Sequence, residues 1–589
     1  MLGQLVTRIT ITLIMVVLVA MLGVACSHPE LPGAPDLPKQ EIPNIPSVPD
    51  DDEEETPKSE VTPPADGATI YGRVTTNVGT PVSDVAVSDG INVTLTDDNG
   101  FYSLISDKSK GCVFISTPGN YTAGAAENRY MFWQKLTLMP SVLETHDFIL
   151  YPADNNNYTV IISADQHIAN RVDDLSQFRS KVVPDINETI AIERSRGNKV
   201  YSLTLGDISW EQFWTANSFG LDDALECYRD LDCNTYHTIG NHDNDPYISD
   251  DWQSSALFRR IVGPNYYSFN IGEVHYVVLD NVIYHNPNAT DSQMGERSYD
   301  RALTPDQLEW LIKDLAVLKD KSVPVVICAH VPFYSDPTIS SGVAVSKRNM
   351  LNMEDLENVL KPYTNVTLFS GHYHRNYTVV SPYNPNIKEH NVASLSATLW
   401  WTARPGYTDK HLCTDGSPGG YGLLCVNGRD VDYMYKGIGC SENDQFRIYD
   451  LNTAIINEST VTSTAKYKDM VKDYAGNYYN PAKNNYVLIN VYNWQPDWKI
   501  EVFEGITSLT PKRVRVKDPL HILAYECQRL SHKAVPTATS TYTTQNSSHF
   551  FRVKASKAES SITVRVTDHK GRVYSSTVKR PLKFDLSTY

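Results

Sequence analysis

From residue 158 onward the chain alternates between short, continuously apolar runs and longer amphipathic ones. Residues 158–164, 200–205, 235–239, 323–329 and 365–370 are apolar almost throughout. Strands of that kind are buried on both faces, and alternating with helices they imply a sheet covered on each side. Two more strands, 267–271 and 274–280, meet near Gly272. Residues 173–196 read as a helix. A second helix has the clearer start: Thr304 can cap it, Pro305 takes the first position and Gln307 closes a capping box. Leu308, Leu311, Ile312, Leu315 and Leu318 then fall on one face at helical spacing.

The pattern is different on either side. Residues 67–150 carry short strand-like runs at 70–74, 82–87 and 91–96, separated by the turns Gly79-Thr80-Pro81, Ser88-Asp89-Gly90 and Asp97-Asp98-Asn99-Gly100. Tyr71-Gly72-Arg73-Val74, Pro81-Val82, Asp89-Gly90 and the run from Thr96 to Tyr102 resemble the carboxypeptidase-regulatory, transthyretin-like β-sandwich, which implies a spacer or docking module. Beyond residue 394 the chain reads as a β-rich domain, with half-solvated alternation at 486–492, 499–503, 550–555 and 561–567. Trp400-Trp401-Thr402 and the glycine-rich stretch 415–422 sit as loops beside the central region. They either wall a substrate pocket or pack one domain on another.

The N-terminal stretch predicts export. Arg8 precedes an apolar run, 9–25, too short for a convincing membrane span. It ends in Leu22-Gly23-Val24-Ala25-Cys26, which resembles a bacterial lipoprotein signal and implies a lipidated Cys26; the other reading is an ordinary cleaved signal. Residues 27–66, with recurrent prolines and the acidic run 50–55, make an extended tether. The division is therefore 1–26 signal, 27–66 tether, 67–150 β-sandwich, 151–394 central α/β domain and 395–589 C-terminal β-rich domain, in a chain of 589 residues. The formal charge, 52 − 69 = −17, argues against unaided nucleic-acid binding, which needs a basic face. An anionic substrate would need local positive charge, and metal ions can supply it.

Candidate chemistry lies where the buried strands end. They deliver Asp165 and His167; Asp207; Asn241, His242 and Asp243; His330; and His372 and His374. Ligands of α/β sheets bind at those carboxyl ends. In Asp-x-His and His-x-His the paired side chains can lie on one side of an extended backbone. Gly206, Gly240 and Gly371 permit sharp turns and close approach. Two carboxylates, four imidazoles and an asparagine oxygen can hold two cations, with one carboxylate shared. Mixed nitrogen and oxygen donors suit manganese, iron or zinc better than calcium or magnesium. His242, next to a ligand, can face the substrate instead.

The ordered set Asp-x-His, Gly-Asp, Gly-Asn-His-Asp, His, Gly-His-x-His resembles the calcineurin-like metallophosphoesterase family over residues 158–394. The resemblance implies a multidomain protein whose centre is an α/β four-layer sandwich, flanked by the N-terminal β-sandwich and C-terminal β-rich domain typical of exported bacterial members. It implies one metal on Asp165, His167, Asp207 and His374, and a second on Asp207, Asn241, His330 and His372. It further implies His242 as the non-ligand histidine that assists the phosphoryl group or leaving oxygen. A carboxylate would orient it, for which Asp243 is a candidate. Phosphate mono- or diesters would be hydrolysed by a metal-bridging hydroxide between cations about 3.5–4 Å apart. Purple acid phosphatases of this superfamily place a tyrosine ligand shortly after Gly-Asp; Trp210 stands there, so a colourless or weakly coloured protein is expected. The rival reading is a cell-surface binding protein that keeps an inactive phosphoesterase scaffold.

Several residues fall outside that set. His237 and His275, inside strands, read as structural. Arg375 reads either as a phosphate contact or as a salt-bridged arginine. Among the cysteines, Cys227 with Cys233 and Cys413 with Cys425 are disulfide candidates by spacing, and Cys328 is expected free and inert.

Overall fold

The computed structural model describes residues 62–340, 343–400 and 410–589. The signal with Cys26, the tether as far as residue 61, and Trp401 and Thr402 lie outside the described residues.

The central region holds two sheets. Strands β1 (Asn157–Ser163), β2 (Lys199–Thr204) and β3 (Thr235–His237) run parallel in the first. The second contains β4 (Tyr267–Ile271), β5 (Val274–Val278), β6 (Val325–Cys328), β7 (Val366–Ser370), β8 (Tyr377–Val380) and β9 (Ile387–Asn391), in the order β4-β5-β6-β7-β9-β8. The hairpin β10 (Gly420–Asn427) and β11 (Asp430–Gly437) returns to the first sheet, where β10 pairs antiparallel with β1 from Asn157↔Asn427 to Ile162↔Gly422. At the opposite edge Arg129 pairs beside Thr235 of β3. Strands from both flanking regions thus complete the central sheet, across the borders at 151 and 394 that the change in strand pattern suggests.

Alternation along β1 shows why its apolar run is continuous. Val160 and Ile162 enter the core between the sheets, whereas Ile161 packs with Ile186 and Ile190 of the helix Val183–Ser195 on the outer face. Across the inner layer Tyr158 and Tyr276 join hydroxyls at 2.9 Å, and Tyr236 stacks on Phe269 with ring centroids 3.8 Å apart. Behind the second sheet, Ser268 Oγ donates to Asp314 of the helix Pro305–Ala316 at 2.6 Å, and His275 Nε2 meets the same carboxylate at 2.9 Å. The four layers are therefore helix, sheet, sheet, helix. His275 and His237, the latter 3.0 Å from Thr204 Oγ1, are structural.

The helix 173–196 of the sequence pattern is helical from Asp174 to Ser195, with a π turn at Phe178–Val182. Thr304 caps the other helix by accepting from Gln307 N at 3.3 Å. The Gln307 side chain does not close the box. It crosses to β5's end, where Oε1 accepts from Asp280 N at 2.8 Å and Nε2 donates to Asp280 O at 2.7 Å. Ile312 is 51% exposed, at the solvent margin of the face that buries Leu311 and Leu315.

The N-terminal region is two small sheets whose core is continuous with the central one. It docks on the helix Pro305–Ala316, where Trp310 Nε1 donates to Ser88 Oγ at 3.1 Å and the indole meets Phe114 edge-on. The C-terminal region has two four-stranded sheets, with cores of their own. It also carries helical turns from Pro519 to Ser531 that the alternating pattern does not signal.

All eight described cysteines are free, so neither spacing-based disulfide forms. Cys227 Sγ contacts Asp223 O, Cys413 Sγ contacts Ser394 O, and Cys425 lies beside Thr159 Oγ1. Burial pushes the Cys227 and Cys425 thiols up to about 11, leaving them protonated.

Of the loop residues, Trp400 and Tyr421 are buried. Trp400 Nε1 donates to Gln166 O at 2.8 Å, and Tyr421 OH donates to Asp185 Oδ1 at 2.7 Å. Both are packing groups, so Trp400→Ala should cost about 3–5 kcal/mol in a denaturant titration. Substrate preference should remain unchanged; a shift between monoester and diester would place the ring in the pocket wall instead.

Candidate metal centre

The strand ends of both sheets open onto one cavity. Asp165 and His167 follow β1, Asp207 follows β2, Asn241 follows β3, His330 follows β6, and His372 and His374 follow β7. They converge by a route the sequence did not suggest. Asp165, His167, Asp207, His372 and His374 all have left-handed backbones, with φ between 46° and 65°. Such conformations cost of order 1–3 kcal/mol each and persist only where the surroundings enforce them. Part of the enforcement is Gly240: a Cβ there would lie 2.2 Å from Asp207 N. The two loops can cross only at a glycine.

Two overlapping donor clusters result, Asp165 with His167, Asp207 and His374, and Asp207 with His330 and His372; within each the ligand atoms all lie within 4.8 Å of one another. Asp207 belongs to both. In the first cluster His167 Nε2 lies 3.1 Å from His374 Nε2 and 3.6 Å from Asp207 Oδ2, and His374 Nε2 lies 3.3 Å from Asp165 Oδ1. In the second, His330 Nε2 lies 3.1 Å from Asp207 Oδ2, 3.0 Å from Asn241 Oδ1 and 3.2 Å from His372 Nδ1.

This donor set fits cations. Two imidazole nitrogens face each other with carboxylate oxygens beside them, while Nδ1 of both His167 and His374 is buried without a partner. A cation between the two Nε2 atoms would take both nitrogens and the adjoining carboxylate oxygens as ligands, with the proton of each ring on Nδ1. Burial, with neighbouring imidazoles, pushes His167 and His372 well below the usual histidine range, so both present the neutral ring that a metal requires. At His330 burial acts in the same direction, but the Asp207 carboxylate outweighs it and raises the imidazole to about 9. A proton and a metal ion therefore compete for His330 Nε2.

His242 stands beside the clusters. Its Nε2 lies 4.0 Å from Asp207 Oδ2, and its Nδ1 meets Glu211 Oε2 at 2.5 Å. Burial would lower its pKa, yet Glu211 and Asp207 raise it to about 9. The carboxylate that orients His242 is therefore Glu211 and not Asp243. Asp243 ends a short 3-10 turn and points back under the strand-end loops, where it accepts from Gly240 N at 2.9 Å, Ser209 N at 3.0 Å and Ile208 N at 3.3 Å. Its oxygens are committed to backbone amides, and burial with the Asp207 charge beside it raises its carboxyl to about 7.

Three residues at this site were not singled out from the sequence. Glu211 is four residues past Asp207, in the same loop, and that proximity was the only signal. Arg297 holds the other oxygen of Glu211 at 2.9 Å, and Tyr299 OH lies 2.8 Å from His372 Nε2. Tyr299 opens the short strand Tyr299–Arg301 and Arg297 precedes it, in a segment too short to carry a sequence pattern. Trp210 packs over the site, with its ring centroid 5.3 Å from that of His167 and 5.8 Å from that of His242. Arg375 is held by Asp336, Nε to Oδ2 at 3.1 Å, which favours the salt-bridged reading.

A four-layer α/β sandwich with a paired Asp/His donor cluster at its strand ends defines a binuclear metallohydrolase type of protein. Comparison with known families gives the same class. The profile described as calcineurin-like phosphoesterase matches residues 158–376, and those for the N-terminal and C-terminal regions of calcineurin-like phosphoesterases match 68–153 and 389–574. The chain belongs to the calcineurin-like phosphoesterase family. It is 32% identical to purple acid phosphatase 15 of Arabidopsis thaliana over 110 residues, 18% of this chain and 17% of the relative. It is 28% identical to the human serine/threonine-protein phosphatase CPPED1 over 145 residues, 23% of this chain and 40% of the relative. The chain thus spans less than half the length of either curated relative. Among solved structures, purple acid phosphatase PPD1 from yellow lupin aligns with a TM-score of 0.32 at 13% identity, covering 60% of this chain and 67% of that one.

Proposed function

We propose that the protein is a dinuclear metal-dependent phosphoric ester hydrolase acting on phosphate mono- or diesters. The observation that carries this reading is the filled donor set: the ends of β1, β2, β3, β6 and β7 contribute side chains to one cavity, with His242 beside it. Asp165, His167, Asp207 and His374 would hold one ion, and Asp207, Asn241, His330 and His372 the other. Manganese, iron or zinc suits such donors. Ions there supply Lewis acidity that activates water and neutralises phosphoryl charge. His242 presents Nε2 to the same cavity while Glu211 fixes Nδ1, so Nε2 is the atom that can hand a proton to a departing oxygen. Asp207 Oδ1 accepts from His242 N at 2.8 Å, which ties the proton donor's backbone to the shared ligand.

The complete donor set favours an enzyme over a binding protein on a lapsed scaffold. The leader supports export and attachment through a lipidated Cys26 in a bacterial cell envelope, with no role for nucleic acid. The test is hydrolysis of an aryl phosphate against its bis-aryl diester, using stripped protein reloaded with manganese, iron or zinc. Turnover of at least one ester with restored metal is expected. Stoichiometric metal binding with neither ester hydrolysed would establish the binding-protein reading.

A further inference from the structure

One loop of the N-terminal region is built unlike the rest of the surface. Between the strands Trp133–Lys135 and Glu144–Thr145, Leu138, Met139, Val142 and Leu143 are exposed, Leu138 to 74% and Met139 to 61%. Scattered exposed apolar side chains need no explanation, but four within six residues form a patch. Nor is the loop slack. Lys108, 1% exposed, reaches beneath it and donates Nζ to Met139 O at 3.0 Å and Val142 O at 2.6 Å, with Glu144 as its counter-ion. A buried lysine therefore satisfies the loop's carbonyls from inside while the apolar side chains point outward.

Cations flank this loop. Leu138 lies on the rim of a groove of about 560 Å³ that is also lined by Lys135, Trp252, Arg259 and Arg260. Arg259 stacks on Trp252, with Cζ 3.4 Å from the ring centroid. Arg259 feels the carboxylates of Asp280, Asp251 and Asp250, and Asp245 also lines the groove, whereas among the described residues Lys135 and Arg260 make no ion pair, in a chain whose formal charge is −17.

We propose that the loop 138–143 and the adjoining basic groove form a docking surface for an anionic lipid bilayer, with the loop entering the headgroup–acyl boundary and the cations meeting lipid phosphates. Three features point to a bilayer and not to a protein. Entry into an apolar phase requires backbone polar groups to be satisfied internally, and the Lys108 contacts do that for Met139 and Val142. Aliphatic side chains beside Lys and Arg are the composition of interfacial anchors. The apolar side chains occupy a single six-residue loop, whereas a stable protein interface buries roughly 800 Å² per partner. The proposal is independent of lipidation at Cys26, and equally of catalysis.

The test uses residues 59–589, which form one compact unit, and so lacks the leader. Sedimentation with phosphatidylcholine vesicles, with and without 30% phosphatidylglycerol at about that proportion, is compared for three proteins. The wild type should pellet with anionic vesicles and be released as salt is raised. Leu138→Ser with Leu143→Ser should weaken binding at least tenfold, roughly, by removing the inserted side chains. Lys135→Glu with Arg260→Glu should abolish the preference for anionic lipid. Neither pair touches the metal centre, so aryl phosphate turnover should not change. Equal pelleting of all three proteins would overturn the proposal. So would a dimer in sedimentation velocity that the serine variant dissociates, since the patch would then bind a second copy.

Discussion

His242→Ala is expected to retain both metal ions and to lose about 10²–10⁴-fold in turnover, the range that a positioned general acid contributes. Its imidazole lies outside both donor clusters, and its one ring contact within hydrogen-bond distance is Glu211. Removing the ring leaves the seven candidate ligands in place but takes away the proton for the departing oxygen. Esters with good leaving groups need that proton least, so the deficit should shrink as the leaving-group pKa falls. Glu211→Gln is the companion variant: it keeps the volume but removes the negative charge on Nδ1, and should lose turnover with metal content intact. The decisive measurement is metal stoichiometry alongside single-turnover rates. Equal loss of both metals in His242→Ala would identify His242 as a ligand.

Asp207→Asn should have the larger structural effect. Oδ2 of this carboxylate lies 3.1 Å from His330 Nε2 and 3.6 Å from His167 Nε2, one in each cluster, while Oδ1 accepts from His242 N. An amide supplies one neutral oxygen where both ions share a charged group, so it weakens both ions at once. The expected outcome is metal content falling from two ions to one or none, with activity falling below that of His242→Ala. Asp165→Asn is the internal comparison, because Asp165 belongs to the first cluster alone. If Asp207→Asn retained two ions, Asp207 would not be the bridge.

Much of this site was legible before any coordinates. Polar residues at the ends of continuously apolar strands are conspicuous, because nothing in the packing of a buried strand calls for a histidine or aspartate there. The convergence of β1, β2, β3, β6 and β7 follows from their parallel order, and order is what the alternation of buried strands and helices encodes. What stayed hidden depends on distance in space between segments far apart in sequence. Asp243 is adjacent to His242 along the chain, but the 3-10 turn sends it toward the amides of residues 208, 209 and 240, leaving His242 to Glu211. Tyr299 and Arg297 sit in and just before a three-residue strand, too short for a period to select one side chain over the next. The left-handed backbones were equally hidden, since Asp-x-His suggests an extended pair until the loop geometry is known. The sharing of the central sheet across the borders was hidden for a related reason. Hairpin 420–437 alternates like any strand pair, and its own sequence does not say which sheet receives it.

That hairpin has a consequence for how the protein can be taken apart. With β10 removed, β1 from Asn157 to Ile162 would expose one open edge while its other edge stays on β2; loss of residues 125–130 would remove the single bridge at Thr235 that covers the edge of β3. Open edges of that kind recruit other chains. A fragment trimmed to 151–394 would keep every candidate metal ligand and still be prone to aggregate, so the catalytic unit in the physical sense reaches from the strand at residue 125 to the glycine at 437.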